Sequence, residues 1–149
     1  MEPVFYRIVV PTDFSRCAES AWALAQRVAA ASGSEMILAH VFTEAPHWSE
    51  GKVSMEHTRQ LFEAGRQWVK TKLEEWAEPG RAAGRNVRTV IREGAPHQEL
   101  IALATDERAD LIVIGTHGRG GLNRALLGSV ADRIVRLAPC PVLTVREPE

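Results

Sequence analysis

The residues whose types and spacing offer chemistry lie late in the chain. Gly115-Thr116-His117-Gly118-Arg119-Gly120-Gly121 follows an apolar run, Leu111-Ile112-Val113-Ile114, and a further six residues lead into Gly128-Ser129. An apolar strand that stops at a glycine-rich loop and restarts as a helix is how open α/β sheets cradle phosphate. Backbone N–H groups and a helix N-terminus then converge on one spot. A side chain at Gly118 or Gly128 would hold an anion away from that backbone. The helix N-terminus contributes about 0.3–1 kcal/mol for a nearby negative charge at an exposed site. Ser129 adds a hydroxyl donor and Arg119 a positive charge.

Each of these residues also has a plainer reading. Ser129 is a competent N-cap, the glycines suit a loop that needs positive φ, and His117 beside glycines reads as a loop residue rather than a catalyst. Other nucleotide and catalytic signatures are missing. The sequence holds no Gly-x4-Gly-Lys-Ser/Thr element, no short Gly-x-Gly-x-x-Gly after the first strand and no Gly-x-Ser-x-Gly nucleophile turn. A receiver-type phosphorylation domain would need clustered acids at the end of the first strand, where Asp13 stands alone. For hydrolysis the loop offers only Thr116, His117 and Arg119, with no carboxylate to orient water or commit a metal, so no catalytic residue and no metal ligand is assigned.

The loop needs elements to position it, and the chain supplies them in alternation. Val4 to Val10 reads as a first strand ended by Pro11-Thr12-Asp13, and Ser15 caps a helix with Ala18, Trp22, Ala25 and Val28 or Ala29 on one face. Glu35 to Phe42 is a second strand. His40 within it reads as a packed or hydrogen-bonded residue rather than a ligand. A polar stretch from Thr43 to Ser54, with Trp48 exposed, leads to a long helix whose stripe is Leu61, Gly65, Trp68 or Val69, Leu73 and Trp76. Lys70, Lys72, Glu74 and Glu75 form its solvated face, and Glu78-Pro79-Gly80 ends or kinks it, with Gly84 the later stop.

Val87 to Arg92 has the mixed polarity of an edge strand, and Gly94-Ala95-Pro96 turns into a helix carrying Leu100, Ile101, Leu103 and Ala104. Leu111 to Ile114 delivers the glycine loop. The last helix presents Val130, Ile134 and Leu137, Ala138-Pro139-Cys140-Pro141 stops it, and Val142 to Val145 makes a final edge strand. Five strands separated by four helices predict one α/β domain over residues 1–149, a parallel sheet with helices on both faces.

At 149 residues one domain is the expected size, and a net charge of −1 gives no general drive toward nucleic acid or an anionic membrane. Cys17 and Cys140 lack metal-ligand spacing, and Cys140 between prolines reads as a buried, unreactive thiol. With no secretory signal and no run of about 20 apolar residues, the expected location is the cytoplasm.

In such sheets ligands bind where strand order reverses, at the carboxyl ends of the strands. Central first and fourth strands would set Pro11-Thr12-Asp13 opposite the glycine loop, with Val41 beside them. There Asp13 either meets a ligand or braces its own turn.

Gly115-x2-Gly118-x9-Gly128-Ser129, followed by Pro139-Cys140-Pro141-Val142, resembles the nucleotide motif of the universal stress protein family. Val9-Val10-Pro11-Thr12-Asp13-Phe14-Ser15 and Gly94-Ala95-Pro96 resemble that family's first and third turns, so the likeness runs through essentially the whole chain. The resemblance implies a Rossmann-like five-stranded sheet in the order 3-2-1-4-5 and an ATP-binding stress-response module. It implies that Asp13 accepts hydrogen bonds from ribose hydroxyls and that the Val41 backbone meets the adenine edge, with Pro11, Thr12 and Ile114 along the wall. Gly115, His117, Gly118 and Arg119 would surround the phosphates, and the Gly128, Ser129 and Val130 backbone would finish the cradle. A Mg2+ or Mn2+ ion would be held by the phosphates themselves. The alternatives are a slow ATPase at the same site and a nucleotide-free dimeric scaffold. The resemblance also implies a homodimer joined through Val142 to Val145.

Overall fold

The computed structural model describes residues 2–43, 55–118 and 126–148. Five parallel strands, β1 (Arg7–Pro11), β2 (Glu35–Phe42), β3 (Val87–Glu93), β4 (Leu111–Gly115) and β5 (Val142–Val145), lie in the order β3-β2-β1-β4-β5. Between them run α1 (Arg16–Ser32), α2 (Met55–Ala82), α3 (Pro96–Asp106) and α4 (Ser129–Leu137). The expected order and alternation are both present.

Side-chain alternation along the strands divides the core in two. Ile8, Val10, Met36, Leu38, Leu111 and Val113 face α1 and α2, where Trp22, Ala25, Val69 and Leu73 cover them. Val9, Ile37, Ala39, Ile112 and Ile114 face α3 and α4, against Leu100, Leu103, Ala131 and Ile134. Both sides of the three inner strands are therefore apolar, as a parallel sheet covered on both faces requires.

Local signals set the element ends. The Ser15 hydroxyl accepts from the Ala18 N–H at 3.2 Å, and Gly33 closes α1 in the left-handed region at φ +72. β1 begins at Arg7 and not at Val4, because the Asp110 carboxylate takes the Tyr6 and Arg7 N–H groups at 2.7 and 3.0 Å and Val4 lies exposed before the first rung.

Helix α2 runs through Glu78-Pro79-Gly80 to Ala82, and its buried stripe is Val69, Leu73 and Ala77. Of the alternatives Trp68 and Val69, Val69 is the buried one and Trp68 is 48% exposed, while Leu61, expected inside, is 61% exposed, since only the second half of the helix lies over the sheet core. Glu74 is not simply solvated: it accepts from Thr89 Oγ1 at 2.8 Å and pairs with Arg81. Leu137 is likewise exposed, leaving Ala131 and Ile134 as the buried positions of α4. Cys140 is half-buried. Burial, then the Asp110 charge, pushes its thiol pKa up, which keeps it protonated. The reading of Trp48 lies outside the described residues.

An ion network crosses the amino-terminal end of the sheet. Arg88 Nε bonds Glu35 at 2.6 Å and Arg88 Nη2 bonds Glu107 at 2.6 Å, while Arg7 Nε holds the other Glu35 oxygen at 2.7 Å. Burial raises the Glu35 pKa, but the Arg88 and Arg7 guanidiniums outweigh it and hold the carboxyl below its ordinary range. The Arg88 bond lowers Glu107 in the same direction.

Folded-state pKa values below the unfolded ones mean stability that is present above the ordinary carboxylate pKa and lost as pH falls from there through the lowered folded value. Urea midpoints should therefore drop between about pH 5 and pH 3, and Arg88→Met should flatten that drop; an equally steep profile in the variant would refute the assignment. Ile112→Ala, at a position with no solvent exposure, should cost about 2–5 kcal/mol in the same measurement.

Candidate functional site

The strand order reverses between β1 and β4. Their pairing, Ile8 with Leu111 and Val9 with Ile112, places the two strand ends side by side. From there β1 leads to α1 on one face and β4 leads to α4 on the other. The crevice between them is a cleft of about 470 Å3.

One wall is the turn after β1. Thr12 N–H donates to the Ala39 carbonyl at 2.8 Å, Thr12 Oγ1 accepts from the Phe14 N–H at 2.9 Å, and Asp13 Oδ1 accepts from the Ser15 N–H at 3.0 Å. These bonds hold Phe14 at φ +63, a conformation costly for a side chain of that size. Asp13 thus braces its turn with one oxygen. The other, Oδ2, faces Gly118, where an added Cβ would lie 2.6 Å from it.

The opposite wall starts at the end of β4. An added Cβ at Gly115 would meet Cys17 Sγ at 2.9 Å and the Cys17 backbone at 3.0 Å, so α1 crosses directly over this residue. Thr116 N–H donates to the Val145 carbonyl at 2.9 Å, and the Thr116 carbonyl accepts from the Gly128 N–H at 2.7 Å. That last bond brings the far end of the loop back to its start. Gly128 is the N-cap of α4 and has no side chain to satisfy the helix, so the first N–H groups of α4 open onto the cleft. Ser129 is the first helical residue and not the cap.

At the far end, β2 outlasts β1. The strand parity is fixed by Glu35 N–H to the Tyr6 carbonyl and Thr12 N–H to the Ala39 carbonyl on the β1 side, and by Gly94 N–H to the Phe42 carbonyl on the β3 side. Val41 therefore directs its N–H and C=O toward β1, which has ended at Pro11. Both groups face the cleft, which Val41 lines.

Pro11, Thr12, Asp13, Val41, Ile114, Gly115, His117, Gly118, Gly128, Ser129 and Val130 all line this one cleft. Arg119 lies outside the described residues. Sequence reasoning missed Thr116, which the loop motif contains, together with Ala39, His40, Pro96 and Leu100. The Gly94-Ala95-Pro96 turn was the available signal for the last two, because α3 starts at the same edge of the sheet. Thr116 Oγ1 bonds His117 Nδ1 at 2.9 Å and lies 3.7 Å from Cys17 Sγ, so His117 is oriented from beneath. Among the described residues, no group of three or more His, Cys, Asp or Glu side chains could hold a metal ion, and no helix is long and apolar enough to cross a membrane.

The model of the universal stress protein family matches residues 5–146. The chain belongs to the universal stress protein family. Universal stress protein MJ0531 of Methanocaldococcus jannaschii is 34% identical over 153 residues, covering 99% of this chain and 86% of that one. The structure of the protein MJ0577, from the same organism, superposes with a TM-score of 0.84 at 32% identity, covering 97% of each chain. A universal stress protein in complex with cAMP superposes with a TM-score of 0.72 at 28% identity, covering 97% of this chain and 98% of that one. Within this universal stress protein fold, packing leaves no room for a side chain at Gly115, where an added Cβ would press on Cys17 of α1. Gly115→Ala should destabilise the protein by about 1–3 kcal/mol, read as a lower urea midpoint at unchanged slope; an unaltered midpoint would show that α1 does not press on β4 there.

Proposed function

We propose that the cleft binds an adenine nucleotide, ATP in the first instance, and that the protein acts as a nucleotide-responsive regulatory or protective module. One observation carries this reading. A single cleft holds an outward-facing peptide edge at Val41, a carboxylate at Asp13 and a glycine-lined helix N-terminus at Gly128, in that order. These are the partners that a base, a ribose and a phosphate chain need.

The Val41 N–H would donate to the adenine ring and its C=O would accept from the exocyclic amine. Asp13 Oδ2 would accept from the ribose hydroxyls, with the carboxylate already oriented by Ser15. The Gly115 to Gly118 backbone, with Gly128, Ser129 and Val130, would surround the phosphates. Gly118 lacks the Cβ that would collide with Asp13 and fill the space between ribose and phosphate. A bound triphosphate supplies the negative charge that the α4 N-terminus favours, and Mg2+ or Mn2+ would be held by its oxygens. The cAMP complex of a relative 28% identical supports an adenine ligand for this fold.

We also propose a homodimer through β5. Leu143 is turned toward β4, since the Pro141 and Val145 carbonyls accept from Ile112 and Thr116. By the alternation of a parallel ladder, Thr144 directs its N–H and C=O to the open side. That edge is a template for a second copy.

Freshly purified protein, denatured and chromatographed, should release adenine nucleotide, and Gly118→Val should reduce the amount by about tenfold or more through the lost approach to the backbone; equal amounts in both would overturn the site. ATP at about 100 times its Kd should raise stability by about 2.7 kcal/mol, read by thermal shift. Thr144→Pro removes an N–H from the open edge and none from the β4 ladder. Sedimentation should find it monomeric, and an undiminished dimer would exclude strand pairing.

A further inference from the structure

His40 lines the cleft next to Val41, and its ring reaches the turn after β1. The parallel ladder between β1 and β2 reaches its last rung with Thr12 N–H on the Ala39 carbonyl. The next rung would take the Val41 N–H to the Thr12 carbonyl. That carbonyl is engaged instead by the His40 ring, whose Nδ1 stands 2.7 Å from it. A carbonyl only accepts, so Nδ1 carries the hydrogen. Among the described residues the backbone bonds include none from Val41 to Thr12.

The same ring stacks on Phe14, with centroids 5.2 Å apart and planes at 27°. Phe14 is the residue at positive φ, and Trp68 and Trp76 meet it edge-on at 5.5 and 5.4 Å. His40 therefore touches both ends of the Thr12-Asp13-Phe14 turn: it bonds the carbonyl at one end and packs against the ring at the other.

We infer that His40 is a positioning residue that sets base selectivity: by engaging the Thr12 carbonyl it ends the β1–β2 ladder one rung early and leaves the Val41 N–H and C=O for an adenine edge. The inference rests on the reading of the cleft as an adenine-nucleotide site. Without the imidazole donor, the Thr12 carbonyl closes onto the Val41 N–H and the base loses a donor, while the phosphate cradle is untouched.

Calorimetric titration of ATP, ITP and inorganic tripolyphosphate into the unsubstituted protein, His40→Phe and His40→Asn separates the possibilities. ITP replaces the amine of adenine with a carbonyl, so it mismatches the Val41 pair. His40→Phe keeps a ring against Phe14 and removes the donor, and its ATP-to-ITP affinity ratio should fall about fivefold with tripolyphosphate affinity unchanged, the effect of one hydrogen bond. His40→Asn carries an amide donor where Nδ1 stood and should restore the ratio to within about twofold of the original. An unchanged ratio in His40→Phe, or an equal loss for all three ligands in both variants, would overturn the inference. A second measurement needs no substitution: in nucleotide-free protein the Val41 amide should exchange with solvent about a hundredfold faster than that of Ala39 and gain protection with ATP. Protection of Val41 equal to that of Ala39 without nucleotide would also overturn it. If the unsubstituted protein binds tripolyphosphate and shows no preference for ATP over ITP, the adenine reading itself fails, a result that His40 variants could not produce.

Discussion

The pairing of β1 with β4 is the constraint on which the rest of the molecule depends. Two rungs, Ile8 with Leu111 and Val9 with Ile112, join strands more than a hundred residues apart in sequence. Because the two strands are parallel and lead to helices on opposite faces, their carboxyl ends part and leave a crevice. Burial of both strands on both faces makes the pairing expensive to disturb, as every residue from Ile8 to Val10 and from Leu111 to Ile114 is buried. The cleft is thus a consequence of the topology, and its position could not shift without unpacking two cores.

Within that frame the candidate site is assembled from backbone groups that regular structure leaves unused. A strand that outlasts its neighbour leaves one residue's N–H and C=O without a rung, and a helix with a glycine cap leaves its first N–H groups without acceptors. In a hydrated cleft these groups cost little, because water satisfies them. They become binding groups only for a ligand that presents the matching edge or charge. Side chains do the arranging: Asp13 and Thr12 tighten one turn, while the Thr116 carbonyl fixes the return of the other loop through Gly128.

Close packing also links the cleft to the edge of the sheet. The Val145 carbonyl receives both the Thr116 N–H at 2.9 Å and the Cys17 thiol at 3.2 Å, and Cys17 in turn lies against Gly115. The end of β5 and the floor of the cleft therefore share atoms.

Periodicity and punctuation determined much by themselves. Alternating apolar runs and helical stripes identified nine elements and the fold class, Ser15 marked the start of α1, and the glycine spacing located one wall of the cleft. These are local properties, set by the period of the backbone and by the few residues that tolerate its ends. The exposure of Leu61 and Leu137, and the burial of Val69 in place of Trp68, were decided by tertiary structure, because helical spacing defines a stripe but not how much of its length a sheet beneath will cover. The contact of Gly115 with Cys17, the closing of Asp13 on Gly118 and the capture of the Thr12 carbonyl by His40 were decided there too. Each joins atoms from different elements at separations of a few ångströms, and no pattern within a single segment carries that information.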